Sequence, residues 1–157
     1  MLKKIVMWIV TILWAATIFN FSAQPATESS NLSQGVIERM LNLLPQVQQM
    51  TQVQKEQLID SVHTFVRKTA HFCIYAVLGV CIALLLSGYG KTSFSMVWHA
   101  ILWGGLYAAS DEIHQLFVPG RSGEVADVLL DTCGVGAGAL FVIAILFIWK
   151  KWMIKSR

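Results

Sequence analysis

Four long apolar runs, at 5–21, 69–86, 94–117 and 127–149, decide most of what this chain can become. A helix needs about 20 apolar residues to cross a bilayer. Inside lipid, only helices and closed barrels satisfy their own backbone. With 55% of its 157 residues hydrophobic and only 13% charged, the chain lacks the polar surface a soluble domain of this size would need. The expected class is all-α: an integral membrane four-helix bundle forming one domain over 1–157.

The first run begins with Lys3-Lys4 but contains the bulky Trp8 and Trp14. Cleavage after Ala23 or Ala26 would put Phe21 or Gln24 at a position that prefers a small residue. It is therefore expected to be a retained anchor rather than a cleaved signal. Charge placement then sets the topology. With the amino terminus inside, the inner segments hold Lys3, Lys4, Lys91, Lys150, Lys151, Lys155 and Arg157, and no acid. All nine acids fall outside. That is the positive-inside pattern, with both termini cytoplasmic. The net charge of +3 reflects membrane orientation, and no basic stripe with interleaved aromatics points to nucleic acid. Cys73, Cys81 and Cys133 all lie in apolar runs without CxxC spacing, which suits small packing residues.

Between the first two runs lies a polar stretch, 24–66, expected to form two amphipathic extracytoplasmic helices. Ser29-Ser30-Asn31 offers caps for the first, with Val36, Ile37, Met40, Leu41 and Leu44 on one side and Pro45 at its end. The second begins near Thr51, with Leu58, Val62, Phe65 and Val66 as its apolar stripe, and its continuity with the second run is left open. The pair lacks the Lys/Arg-rich polar face of surface-binding helices, so it is expected to cap the bundle.

Ionisable groups near lipid are costly and usually face a protein interior or a wet cavity. Here they gather in three places. Arg67, His71 and Tyr75 are four residues apart, so they form one stripe on the second run, with Lys68 beside them. Asp111, His114 and Gln115 share a face at the end of the third, with Glu112 pointing sideways. Two acids at a helix carboxyl end oppose its dipole, so Arg121, Arg67 or a metal ion is expected to compensate. Pro119-Gly120 suits a type II turn that aims Arg121 back toward the bundle or out to a phosphate. On the fourth run, Asp127 and Asp131 share a face with Gly134 and Gly138, which turns both acids inward. Asp131 should be paired with Arg67, Lys68, Arg121 or a histidine, or be protonated. All these groups fall at one depth, near the outer face. Gly90-Lys91-Thr92 is not a phosphate loop, because Leu85 stands where the first glycine would be. His99 lies at another depth and reads as a packing histidine.

Arg67-Lys68-x-x-His71-Phe72-x-x-Tyr75-x-x-x-Gly79, the run from Ser110 to Gln115, Pro119-Gly-Arg121, and Asp127 with its downstream glycines together resemble the VanZ-like family. Phe21-Ser-x-Gln24, with Ser30 and Ser33, resembles the end of that family's first span. The resemblance covers essentially the whole chain. It implies a small multi-pass protein of the bacterial cytoplasmic membrane, in a family whose founding member is associated with teicoplanin resistance.

Three functions follow. In the first, Arg67, Lys68 and Arg121 hold an anionic group of an envelope lipid, a lipid-linked precursor or a glycopeptide-related ligand, with Tyr75, Glu112, Gln115, Asp127 and Asp131 around it. In the second, an intramembrane hydrolase or transferase uses His71 or His114 as base, oriented by Asp111 or Asp127. A divalent-metal version would take His71, Asp111, His114 and Asp127 as ligands, although no cofactor is required by the sequence. In the third, the polar groups are interhelical pairs of a scaffold, worth only about 0.6 kcal/mol each.

Overall fold

The computed structural model describes residues 1–25, 35, 37–91 and 93–155, and among these every regular element is helical. The proposed caps at 29–31, Ser33 and Val36 lie outside the described residues. The helices are α1 (Leu2–Ser22), α2 (37–42), α3 (Pro45–Gln48), α4 (Gln52–Ser87), α5 (Ser93–Gln115) and α6 (Val125–Lys155). Of these, α1, α4 and α6 are long and apolar enough to cross a membrane. α5 has the length, at 23 residues, but Trp98, His99, two glycines and Tyr107 dilute its apolar character.

α4 answers the question of continuity. Thr51 caps it reciprocally with Gln54: the Thr51 hydroxyl accepts from the Gln54 N–H, and the Gln54 side chain accepts from the Thr51 N–H at 3.0 Å. No Pro or Gly interrupts the chain before Gly79, so one helix of 36 residues runs through. At 1.5 Å per residue it is roughly 54 Å long, well beyond bilayer thickness. Its first half therefore projects from the bundle.

The second expected amphipathic helix is this projecting half itself, and α2 and α3 pack on it. Ile37 and Val47 are buried there, and Glu38, Leu41, Val47, Lys55, Glu56 and Ile59 line a groove of about 360 Å³. Pro45 occupies the first turn of α3, where its missing N–H costs nothing. The expected apolar stripes are only partly covered. Phe65 is 71% exposed, and Val66, Met40 and Leu44 are exposed as well.

The bundle runs up, down, up, down. α4 and α6 make the most intimate pair, and glycines make it so. A Cβ on Gly79 would run into the Val135 carbonyl, one on Gly138 into the Ala76 carbonyl, and one on Gly134 would come 2.5 Å from the Phe72 carbonyl. Backbone therefore lies on backbone along this seam. α5 packs on the other side of α6, with Gly104 accommodating Val135. α1 is held by two polar anchors on apolar packing: Trp14 Nε1 donates to the Ile74 carbonyl at 2.9 Å, and Tyr107 Oη to the Ala15 carbonyl at 2.6 Å. Its amino end meets the α4–α5 turn, where Trp8 Nε1 donates to Tyr89 Oη at 3.1 Å and Lys4 Nζ lies 4.2 Å from the Tyr89 ring centre. Gly90, at φ +70°, closes that turn.

Of the cysteines, only Cys81 packs inside; Cys73 and Cys133 are exposed. His99 is satisfied within its own helix, 2.7 Å from the Ser95 carbonyl.

Candidate functional site

The polar residues gather at the bundle end opposite the Lys4–Tyr89 contact, in two linked layers. The outer layer lies where α4 passes the start of α6. Lys68 Nζ donates to Asp127 Oδ1 at 2.8 Å and sits 3.7 Å from Glu124, while Arg67 Nη2 is 3.5 Å from Asp127 Oδ2. The two cations keep 39% and 37% of their side-chain surface exposed, while Asp127 keeps 10%. They form a wet rim above a dry interior.

One helical turn further in, His71 Nδ1 lies 3.4 Å from Asp131 Oδ2, so the pairing expected for Asp131 falls to a histidine. Asp131 is fully buried, and its Oδ1 has no partner among the described residues. Beside it Tyr75, also fully buried, donates to Asp111 Oδ2 at 3.0 Å. The same oxygen accepts from Ser22 Oγ at 2.6 Å and from Gln115 Nε2 at 3.4 Å. Asp111 is 2% exposed, and its other oxygen, Oδ1, is again unpartnered among the described residues.

Glu112, pointing sideways from the Asp111 face, is nonetheless buried in the cluster, at 4% exposed. The loop 116–124 folds back over it, so that the Glu124 N–H donates to Glu112 Oε2 at 3.0 Å and Gln115 Nε2 to Oε1 at 3.1 Å. Gly123 permits this approach, since a Cβ there would lie 2.9 Å from the Glu112 carbonyl. A helical wheel cannot show a loop returning over its own helix.

Arg121 turns back toward the bundle as the type II turn requires, with Gly120 at φ +76° and the Arg121 N–H donating to the Val118 carbonyl at 3.2 Å. Its guanidinium is committed to α1 rather than held out to a phosphate. Nε donates to the Gln24 carbonyl at 3.0 Å and Nη2 to the Phe21 carbonyl at 3.2 Å. The third arm, Nη1, reaches Gln115 Oε1 at 3.4 Å. Arg121 thus caps α1 and, through the Gln115 amide, offsets the two acids at the end of α5. Burial, and then Arg67, hold this guanidinium below its ordinary value, with Asp111 and Glu112 acting the other way. It still carries its charge at any physiological pH.

His114 stands apart from His71. It packs on Phe19 of α1, with ring centres 4.4 Å apart, and its Nδ1 is buried without a partner among the described residues. His71, Asp111, His114 and Asp127 thus each meet a different partner: Asp131, Tyr75 with Ser22, Phe19, and Lys68 with Arg67. Among the described residues no three His, Cys, Asp or Glu side chains group as metal ligands. The carboxylate in contact with His71 is that of Asp131. Ser22 and Glu124 belong to the site and were not singled out from the sequence. Ser22 stands inside the Phe21-Ser-x-Gln24 motif, the one signal that could have found it. Ser110 donates to the Tyr107 carbonyl at 2.7 Å.

These groups tie one motif from each long helix into one cluster, and the motifs are those that carry the family resemblance. The VanZ/LLP1 family model matches residues 7–148, nearly the whole chain. The chain belongs to the VanZ/LLP1 family. No curated protein and no solved structure matches it. As a VanZ-like membrane protein, the chain carries its described family motifs on α1, α4, α5, α6 and the loop before α6, and each of these elements gives residues to this cluster.

Proposed function

We propose that this VanZ-like protein binds an envelope lipid or lipid-linked intermediate, through its phosphate or another anionic group, at the outer leaflet of the bacterial cytoplasmic membrane, and so affects susceptibility to teicoplanin. The orientation follows the positive-inside rule, with both termini cytoplasmic. The observation that carries the reading is the exposed pair Arg67 and Lys68 at the rim of a buried polar cluster. A phosphate arriving there competes with Asp127 and Glu124 for two cations already held in place, one with the fork geometry suited to phosphate. Arg121 supports this rim through α1 rather than by touching the ligand.

The double variant Arg67→Gln/Lys68→Gln, produced at wild-type level, is expected to lose retention of anionic lipid in native mass spectrometry by about tenfold, the equivalent of 1.4 kcal/mol. In a host made teicoplanin-tolerant by the wild-type protein, the same variant is expected to restore susceptibility. Unchanged lipid retention and unchanged susceptibility would sink the reading. The His71–Asp131 contact favours a second one, an intramembrane hydrolase or transferase in which Asp131 orients His71 as general base. Product formation from bound lipid that disappears with His71→Gln, while lipid is still retained, would distinguish it from binding alone.

A further inference from the structure

The charges of the cluster do not balance. Arg67, Lys68 and Arg121, with His71 at Asp131, face Asp111, Glu112, Glu124, Asp127 and Asp131, four basic groups against five carboxylates. The rim cations answer Asp127 and Glu124, and Arg121 answers the acids of α5 through Gln115. What is left lies deepest: Asp131 Oδ1 and Asp111 Oδ1, both buried and unpartnered among the described residues. Unsatisfied carboxylate oxygens are among the most expensive groups to bury, above all at membrane depth. A purely anionic ligand would deepen the imbalance.

A ligand carrying both signs would correct it. We infer that the ligand is a phosphate-linked primary amine, such as an ethanolamine headgroup. Its phosphate is taken by Arg67 and Lys68, and its ammonium by the Asp131 carboxylate, whose Oδ1 is unpartnered among the described residues. The register of α4 and α6 supports this division. Arg67 and Asp127 form the outer pair, and His71 and Asp131 the next one, about 6 Å further in by helical rise. That separation suits a phosphate and an ammonium joined by a two-carbon bridge. His71, with 17% of its side chain exposed, is the group an arriving ammonium displaces from Asp131. An ammonium brings three N–H donors, which suit two carboxylate oxygens and the His71 ring nitrogen.

This assignment rests on the anion-binding reading of the rim and is tested apart from it. The full-length protein, reconstituted separately in nanodiscs containing phosphatidylethanolamine, phosphatidylglycerol or phosphatidylcholine, is released into native mass spectrometry and its retained lipid counted. Phosphatidylethanolamine is expected to be retained about tenfold better than either other lipid, the equivalent of one charge-assisted hydrogen bond. Phosphatidylcholine is the critical control, since its ammonium has no N–H to donate. Asp131→Asn is expected to reduce ethanolamine-lipid retention to the level that the wild-type protein shows for phosphatidylglycerol. Soluble phosphoethanolamine that competes would show the headgroup to be sufficient; competition by the vesicle-borne lipid alone would make the acyl chains part of the ligand. Both outcomes support the assignment. Phosphatidylglycerol retained as well as or better than phosphatidylethanolamine overturns it and leaves the anionic-lipid reading standing. Failure to retain any of the three overturns both. The wild-type comparison decides the matter even if Asp131→Asn does not fold.

Discussion

Asp111 shows how a single carboxylate organises this membrane protein. One of its oxygens collects a hydroxyl from α1, a phenol from α4 and an amide from its own helix. Three helices are thereby tied at one atom, inside a region where water cannot substitute for a lost donor. Tyr75→Phe and Ser22→Ala are each expected to cost about 1–3 kcal/mol of stability, the penalty of leaving a buried acceptor poorer by one donor. Because both serve the same oxygen, the double variant should depart from the sum of the singles by more than the roughly 0.3–0.5 kcal/mol seen for independent sites. Unfolding of the purified protein in mixed micelles checks this; strict additivity would mean that the two hydroxyls do not share Asp111. The residue types on this face were legible in the sequence, because 3- and 4-residue spacing is a local property. Ser22 was not, because a serine at a helix end has many ordinary reasons to be there.

At the level of the element, the α4–α6 seam sets the geometry of the site. Gly79, Gly134 and Gly138 let the two backbones touch, and that contact brings His71 against Asp131 and Arg67 and Lys68 against Asp127. Gly138→Leu is expected to force the helices apart and to destabilise the protein by about 1–3 kcal/mol or more, as overpacking does. Lipid retention at the rim should fall with it. Gly136→Ala provides the control: a Cβ there would meet only Ile101 side-chain atoms at 3.7 Å, an ordinary contact, so stability should be unchanged. Thermal unfolding of the two variants side by side measures the difference. The i,i+4 glycines beside Asp127 and Asp131 already indicated close packing of that face. Gly79 as their counterpart on α4, and the length of α4 beyond the bundle, emerged only once the two helices were seen together.

For the whole molecule, the bundle separates charge by end. Lys4 meets the α4–α5 turn that carries Lys91, while the carboxylates of α5 and α6 meet at the far end. In a background with Cys73, Cys81 and Cys133 replaced by alanine, Ser122→Cys is expected to react in intact cells with a membrane-impermeant maleimide, and Lys91→Cys only after permeabilisation. The opposite pattern would reverse the orientation and move the polar cluster to the cytoplasmic leaflet. The sequence by itself determined the all-α membrane class, the helical runs, the shared faces, the Pro119-Gly120 turn and the common depth of the polar groups. Each of these follows from composition or from the fixed rise and rotation of one helix. Only the tertiary structure decided that His71 meets Asp131 and not Asp111, that Arg121 caps α1, that Glu112 lies under a loop, and that His71 and His114 stand apart. Those pairings depend on how far helices slide and rotate against one another. Distant residues set that through glycine contacts and returning loops, which no local spacing encodes.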